Sequence, residues 1–203
     1  MDLFETEPLA GTAAVGGQLR GDALIAAARA FAAEAHGSIN HMRKYTGDPY
    51  IAHPEEVAAI VASRPHTPEM IAAALLHDTV EDTPVTSAVI SQRFGPAVAA
   101  LVSDLTDVSK PGDGNRATRK AMDRSHTAAA SNQAKTIKLA DLISNSRSII
   151  QHDPKFAKVY MQEKRLLLDA LVGGDPVLLA QASKIVADYY GSVAGSRPAT
   201  LPV

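Results

Sequence analysis

Residues 75–83, LLHDTVEDT, decide how this chain is read: an apolar, alanine-rich run ends by delivering one histidine and three carboxylates. In a continuous helix, positions i, i+1, i+4 and i+5 share one broad face, so His77, Asp78, Glu81 and Asp82 are expected to point roughly the same way. Ile71, Ala72, Ala74, Leu75 and Leu76 read as the buried approach to them. Carboxylates gathered at the end of a buried segment are costly unless a cation neutralises them, and a bound metal ion is the simplest remedy. Taken alone, the stretch also fits a helix end with solvated acids, so the rest of the chain has to decide.

Helical spacing continues on both sides. Upstream, Leu24, Ile25, Ala28, Phe31, Ala32 and Ala35 predict an amphipathic helix over 22–36, ended by Gly37. The polar stretch 38–53 is too long for a tight turn and reads as a functional loop. Prolines follow His53, Thr67, Gly95, Asp153 and Asp175, each marking a first helical position. Downstream, a long helical stretch is predicted over 116–150, interrupted at most by a bend, with further helices over 156–171 and 177–190. No segment shows the strict alternation of a strand. The expected fold is therefore all-α, a single helical bundle over 21–191. Residues 1–20 and 192–203, rich in Gly, Ala, Thr, Ser and Pro without periodicity, read as poorly ordered tails.

Composition narrows the function. At 203 residues, 46% hydrophobic and 21% charged, the chain suits one soluble domain. A net charge of −2 supplies no global field to attract nucleic acid or an anionic membrane, so an anionic ligand would need a local basic cluster. The absence of cysteine excludes thiolate nucleophiles and thiolate metal sites, and leaves histidine and carboxylate as ligands. No apolar run reaches the roughly 18 residues of a membrane span, and the N-terminus lacks the pattern of a signal peptide, so a cytoplasmic setting is expected. Self-association into a homo-oligomer is left open.

Two further stretches carry chemistry. In KLADLISNSRS, residues 138–148, Asp141, Asn145 and Ser148 fall at i, i+4 and i+7 and place a carboxylate, an amide and a hydroxyl on one helix face. In RKYTGDPYIAHPEEV, residues 43–57, His53 precedes a proline, which is expected to hold its ring at the helix entrance instead of winding it into the helix. Arg43 and Lys44 form a basic pair suited to gripping a phosphate if the loop folds over the site.

RKYTGDPYIAHP, AALLHDTVEDT and KLADLISN, in this order and spacing, resemble the HD-domain hydrolases of the RelA/SpoT stringent-response family, most closely its single-domain members, the small alarmone hydrolases. GNRATRKAMDRSH and FAKVYMQEKRLL extend the resemblance over 24–168, and the synthetase half of the long members has no room here. The resemblance implies that His53, His77, Asp78 and Asp141 ligate one divalent metal, usually manganese (Mn2+). Two imidazoles and two carboxylates suit Mn, Fe, Co or Zn alike.

By the same resemblance, Glu81 and Asp82 are the acidic pair that positions and deprotonates the attacking water. Arg43 packs on the nucleobase, Lys44 contacts a phosphate, Asn145 and Ser148 contact ribose and base, and Lys158 reaches the 5′ phosphates. The implied reaction is hydrolysis of guanosine 3′,5′-bis(diphosphate), or its pentaphosphate, to pyrophosphate and GDP or GTP. The alternatives within this class are the adenine analogue of the alarmone and the 2′ phosphate of NADPH. An idle nucleotide-binding module is disfavoured by the retention of Glu81 and Asp82, and a nucleic-acid-binding bundle by the net charge and the lack of an aromatic platform. The segment GSINHM between His36 and Arg43 is longer than the family spacing, and its His41 has no counterpart. The basic segment 110–124, with five Lys or Arg against two Asp, is a further source of positive charge for a phosphorylated ligand.

Overall fold

Proline and cap signals set the start of most helices. The computed structural model describes residues 19–195, as α1 (Gly21–Ser38), α2 (Ala52–Ala62), α3 (Pro68–Leu76), α4 (Thr79–Asp82), α5 (Ser87–Phe94), α6 (Pro96–Leu105), α7 (Arg116–Ala129), α8 (Asn132–His152), α9 (Pro154–Ala170) and α10 (Pro176–Gly195). Helices α3, α6, α9 and α10 each begin on a proline. The preceding Thr67, Asp153 and Asp175 side chains accept from the N–H groups of Met70, Phe156 and Leu178. Among the described residues the one extended pairing is an isolated antiparallel bridge between Met42 and Pro49, as the all-α reading requires. None of the described helices is long and apolar enough to cross a membrane. Of the tails expected over 1–20 and 192–203, residues 1–18 and 196–203 lie outside the described residues, while α10 continues to Gly195 and takes 192–195 into a helix.

Helix α3 is the hub. Every residue from Met70 to Leu76 is buried, which is the mark of a helix surrounded on all sides. It packs against α1, α2, α6 and α8, and those helices supply much of the main core, including Leu24, Phe31, Val57, Val102, Ile137 and Leu142. Truncating a fully buried side chain such as Leu76 to Ala is expected to destabilise by about 2–5 kcal/mol. A smaller cluster of Ile149, Ala157, Tyr160, Met161 and Val186 ties α8, α9 and α10 together.

Local structure departs from the sequence reading at four places. Residues 75–83 are not one helix: α3 ends at Leu76 and the single turn α4 restarts at Thr79. The Thr79 hydroxyl donates to Leu76 O at 2.7 Å and the His77 ring bonds to Ala74 O at 2.8 Å, so side chains take carbonyls that a continuing helix would use. Helix α2 starts at Ala52, which winds His53 into its first turn; Pro54 is tolerated there because first-turn N–H groups have no helical partner. Gly37 is helical, and Asn40, with φ of 52°, takes the left-handed position beyond α1. The stretch 116–150 is two helices: Ala130 is extended, and Ser131 caps α8 through Ala134 N while its own N–H and hydroxyl bond to Asp104 Oδ2 at 3.0 and 2.9 Å.

Candidate metal centre

Three long helices bring four side chains to one point. His53 comes from the first turn of α2, His77 and Asp78 from the end of α3, and Asp141 from the middle of α8. Asp141 Oδ1 lies 3.1 Å from His53 Nε2 and 3.8 Å from His77 Nε2. Asp78 Oδ2 lies 3.0 Å from His77 Nε2 and 3.7 Å from His53 Nε2. Ligand atoms of His53, His77 and Asp141 all fall within 4.8 Å of one another, and all three residues are buried, with Asp78 half-buried beside them.

The donor set fits a divalent cation. His77 Nδ1 is bonded to the Ala74 carbonyl and therefore carries the N–H, which leaves a lone pair on Nε2. That Nε2 is buried without a hydrogen-bond partner, 3.0 Å from a carboxylate oxygen. Two carboxylates around Nε2 call for positive charge there, which a proton supplies in the bare site and a divalent ion would supply in its place. The pKa directions agree. Burial pulls the His77 pKa down, but Asp78 and Asp141 outweigh it and raise it well above the ordinary value. Burial pushes Asp78 and Asp141 up, yet the imidazoles hold both below the usual carboxylate range. The cluster could hold a cation, and its nitrogen and oxygen donors suit Mn, Fe, Co or Zn.

Around this centre lies a polar rim. Tyr50 OH donates to Asp78 Oδ2 at 2.6 Å, and Asn145 Nδ2, one turn past Asp141, donates to Asp141 Oδ1 at 2.6 Å. Glu81 and Asp82 are solvent-reached on α4. The backbone N–H of Asp107 donates to Glu81 Oε1 at 2.6 Å. Desolvation of its carboxyl by the surrounding protein pushes the Glu81 pKa up to about 7, against the pull of Lys138 and with a further push from Asp107. Asp82 is also raised, by desolvation and then by the Asp78 carboxylate. Arg43 is half-buried in a loop closed by its N–H to Asp48 O at 2.8 Å. Lys44 turns to the start of α9, where Nζ lies 3.2 Å from Asp153 Oδ2 and 3.2 Å from Tyr45 OH. Ser148 is half-buried on α8, and Lys158 is exposed on α9.

Residues 28–167 match the sequence profile of the HD domain. The chain belongs to the HD domain family. Within it, the guanosine-3′,5′-bis(diphosphate) 3′-pyrophosphohydrolase MESH1 of Danio rerio is 41% identical over 128 residues, which cover 62% of this chain and 68% of that protein. The GTP pyrophosphokinase rsh of Brucella ovis is 38% identical over 134 residues, 63% of this chain and 17% of that protein. This HD domain thus spans less than a fifth of the length of such long relatives. Among solved structures, a metazoan ortholog of SpoT that hydrolyzes ppGpp superposes with a TM-score of 0.74 at 27% identity, covering 84% of this chain and 98% of that one.

Several residues that shape this HD domain site carry no motif of their own. Tyr50 is three positions before His53 but reaches Asp78. His41, in the loop after α1, stacks on Tyr50 with centroids 3.7 Å apart and an 11° tilt, and its Nδ1 is 3.1 Å from His36 Nδ1. Burial, with neighbouring imidazoles adding to it, pushes the His36 pKa down to about 4 in spite of Asp78. Lys138, three positions before Asp141, donates to Leu105 O and is raised as Asp141 and Asp107 overcome its burial. In the basic segment 110–124 two of the five cations are taken up by carboxylates: Lys120 binds Asp107 and Asp123, and Arg116 binds Glu163 through two hydrogen bonds.

Proposed function

We propose that this chain is a metal-dependent alarmone hydrolase that removes pyrophosphate from the 3′ position of guanosine 3′,5′-bis(diphosphate), leaving GDP, or GTP from the pentaphosphate. The observation that carries the reading is the buried cluster of His53, His77 and Asp141, with the half-buried Asp78 carboxylate 3.0 Å from His77 Nε2. The names of the Danio rerio relative and of the SpoT ortholog support the substrate class. These four residues would hold one divalent ion, and the family resemblance favours manganese. The bound ion would lower the pKa of water and polarise a phosphoryl oxygen. A cytoplasmic setting belongs to the same reading, because the nucleotide is an intracellular signal.

The chain's own residues supply the rest. Glu81, with a pKa of about 7, is able both to accept and to return a proton near neutrality, and Asp82 beside it shares that task. Asn145 orients Asp141 by its 2.6 Å bond and turns its remaining polar capacity toward the sugar. Arg43 stacks on the base, Ser148 contacts it, and Lys158 reaches the 5′ phosphates. Lys44 binds a phosphate by exchanging the half-buried Asp153 carboxylate for it. Pyrophosphate release from a panel of 3′-diphosphate nucleotides, with and without chelator, tests the proposal. Release from the guanine substrate, lost in chelator and restored by manganese, is expected. Exclusive release of orthophosphate from NADPH would overturn the alarmone assignment.

A further inference from the structure

We propose that Glu56 and Ser144 form a hydrogen-bond relay that fixes the tautomer of His53 and thereby sets the metal affinity of the centre; this rests on reading the cluster as a metal site. Glu56 lies one turn past His53 on α2, and Ser144 one turn past Asp141 on α8. Because α2 packs against α8, the second pair meets directly behind the first. Ser144 Oγ lies 2.8 Å from Glu56 Oε2 and 3.1 Å from His53 Nδ1. His53 and Ser144 are each 1% exposed, so water does not compete for these groups.

Proton counting gives the direction of the chain of bonds. A carboxylate only accepts, so the single Ser144 hydrogen goes to Glu56. The oxygen lone pair that remains faces His53, and Nδ1 must carry the hydrogen of the imidazole. His53 Nε2 is then left with its lone pair toward Asp141 Oδ1, 3.1 Å away, and Asp78 Oδ2, 3.7 Å away. With a cation between Nε2 and these carboxylates no lone pairs are opposed, whereas the opposite tautomer would set Nδ1 against the Ser144 oxygen inside the core. The carboxylate also polarises the imidazole through the hydroxyl and makes Nε2 a stronger donor.

The two imidazoles reach the same state by different means. His77 bonds to a backbone carbonyl, Ala74 O, which no substitution removes, whereas His53 depends on two replaceable side chains. Neither Glu56 nor Ser144 touches the space between the four ligands, so both are positioning residues.

Manganese affinity of the stripped full-length chain, measured by competition with a chelator, tests the relay without reference to turnover. Ser144→Ala is expected to weaken binding by about 10- to 100-fold, the usual effect of losing a partner behind a histidine ligand. Ser144→Thr, which keeps the hydroxyl, should restore it. Glu56→Gln should weaken binding as well, and the double variant Glu56→Gln/Ser144→Ala should be no worse than Ser144→Ala alone, because the two act in series. In saturated, diamagnetic zinc protein the His53 Nδ1–H should give a slowly exchanging proton resonance in the wild type and in Ser144→Thr, and lose it in Ser144→Ala. Wild-type manganese affinity in Ser144→Ala, or additive losses in the double variant, would overturn the relay alone. Absence of manganese binding in the wild type would overturn the metal centre and the relay with it.

Discussion

The buried His–Asp cluster and the loop that carries Arg43 and Lys44 are held by different forces. On one side the candidate metal centre grows out of α2, the end of α3 and α8, its His53, His77 and Asp141 are buried, and each imidazole is fixed from behind. By contrast, Arg43 and Lys44 sit in a loop between helices, and the exposed ammonium of Lys44 is engaged by the half-buried Asp153 carboxylate at 3.2 Å. Core packing specifies the first side, because its residues sit on helices whose other faces are buried. The second is stabilised by a few exchangeable contacts, since an exposed ion pair contributes only about 0–1 kcal/mol. Chemistry is therefore expected to be robust and substrate choice adaptable, as for sites divided between a scaffold and its loops.

The harshest test removes a ligand. His77→Ala or Asp141→Ala should abolish metal retention and turnover, and should erase any rise in Tm that manganese gives the wild type. Full activity after chelator treatment of the wild type would break the comparison at its stronger side.

The next test separates proton transfer from metal holding. Glu81→Gln and Asp82→Asn keep shape, so turnover should fall by about 10²-fold or more while metal content is unchanged. Acting as a base, Glu81 is required without its proton, so kcat/KM should rise as pH increases through about 7. Glu81→Gln should remove that limb. Loss of metal in either variant would place these carboxylates among the ligands instead.

Tyr50 joins the two sides, because it is stacked under His41 of the loop while its hydroxyl holds Asp78 at 2.6 Å. Tyr50→Phe should weaken manganese binding by about 10-fold, at the lower end for loss of a bond to a ligand. An unchanged affinity would show that the loop is uncoupled from the centre.

Much of this was legible in the sequence because the signals are local. Thr67-Pro68, Asp153-Pro154 and Asp175-Pro176 announce helix starts by chemistry that acts within one turn. The ends of LLHDTVEDT were not legible, because a continuous helix and a break at His77 differ only in whether Thr79 and His77 take nearby carbonyls. The same holds for Ala130 and Ser131, where the deciding partner is Asp104, 27 residues away. Tyr50 with Asp78, Ser144 with Glu56, and Lys44 with Asp153 are tertiary pairings that periodicity cannot express. Spacing gathered the four metal-centre residues only with the help of the family resemblance, and the side chains behind them emerged from the packing of α2 on α8.

The smallest expected effect concerns the loop and decides what the pocket prefers. If Arg43 stacks on the base, the contact is equal in ground and transition states, so Arg43→Ala should raise KM with kcat and metal content little changed. A cation–π contact of about 1–2 kcal/mol corresponds to a rise of roughly 5- to 30-fold. A guanidinium plane has little power to tell guanine from adenine, because both present the same kind of face. Discrimination must then come from hydrogen bonds near Ser148, and Ser148→Ala should shift the ratio of kcat/KM between guanine and adenine 3′-diphosphates more than Arg43→Ala does. Measured at fixed manganese and ionic strength, the four substrate–variant combinations separate grip from choice. An unchanged KM for both substrates in Arg43→Ala would mean that the loop after α1, with His41 stacked on Tyr50, carries Arg43 away from the base and leaves nucleobase recognition to α8 alone.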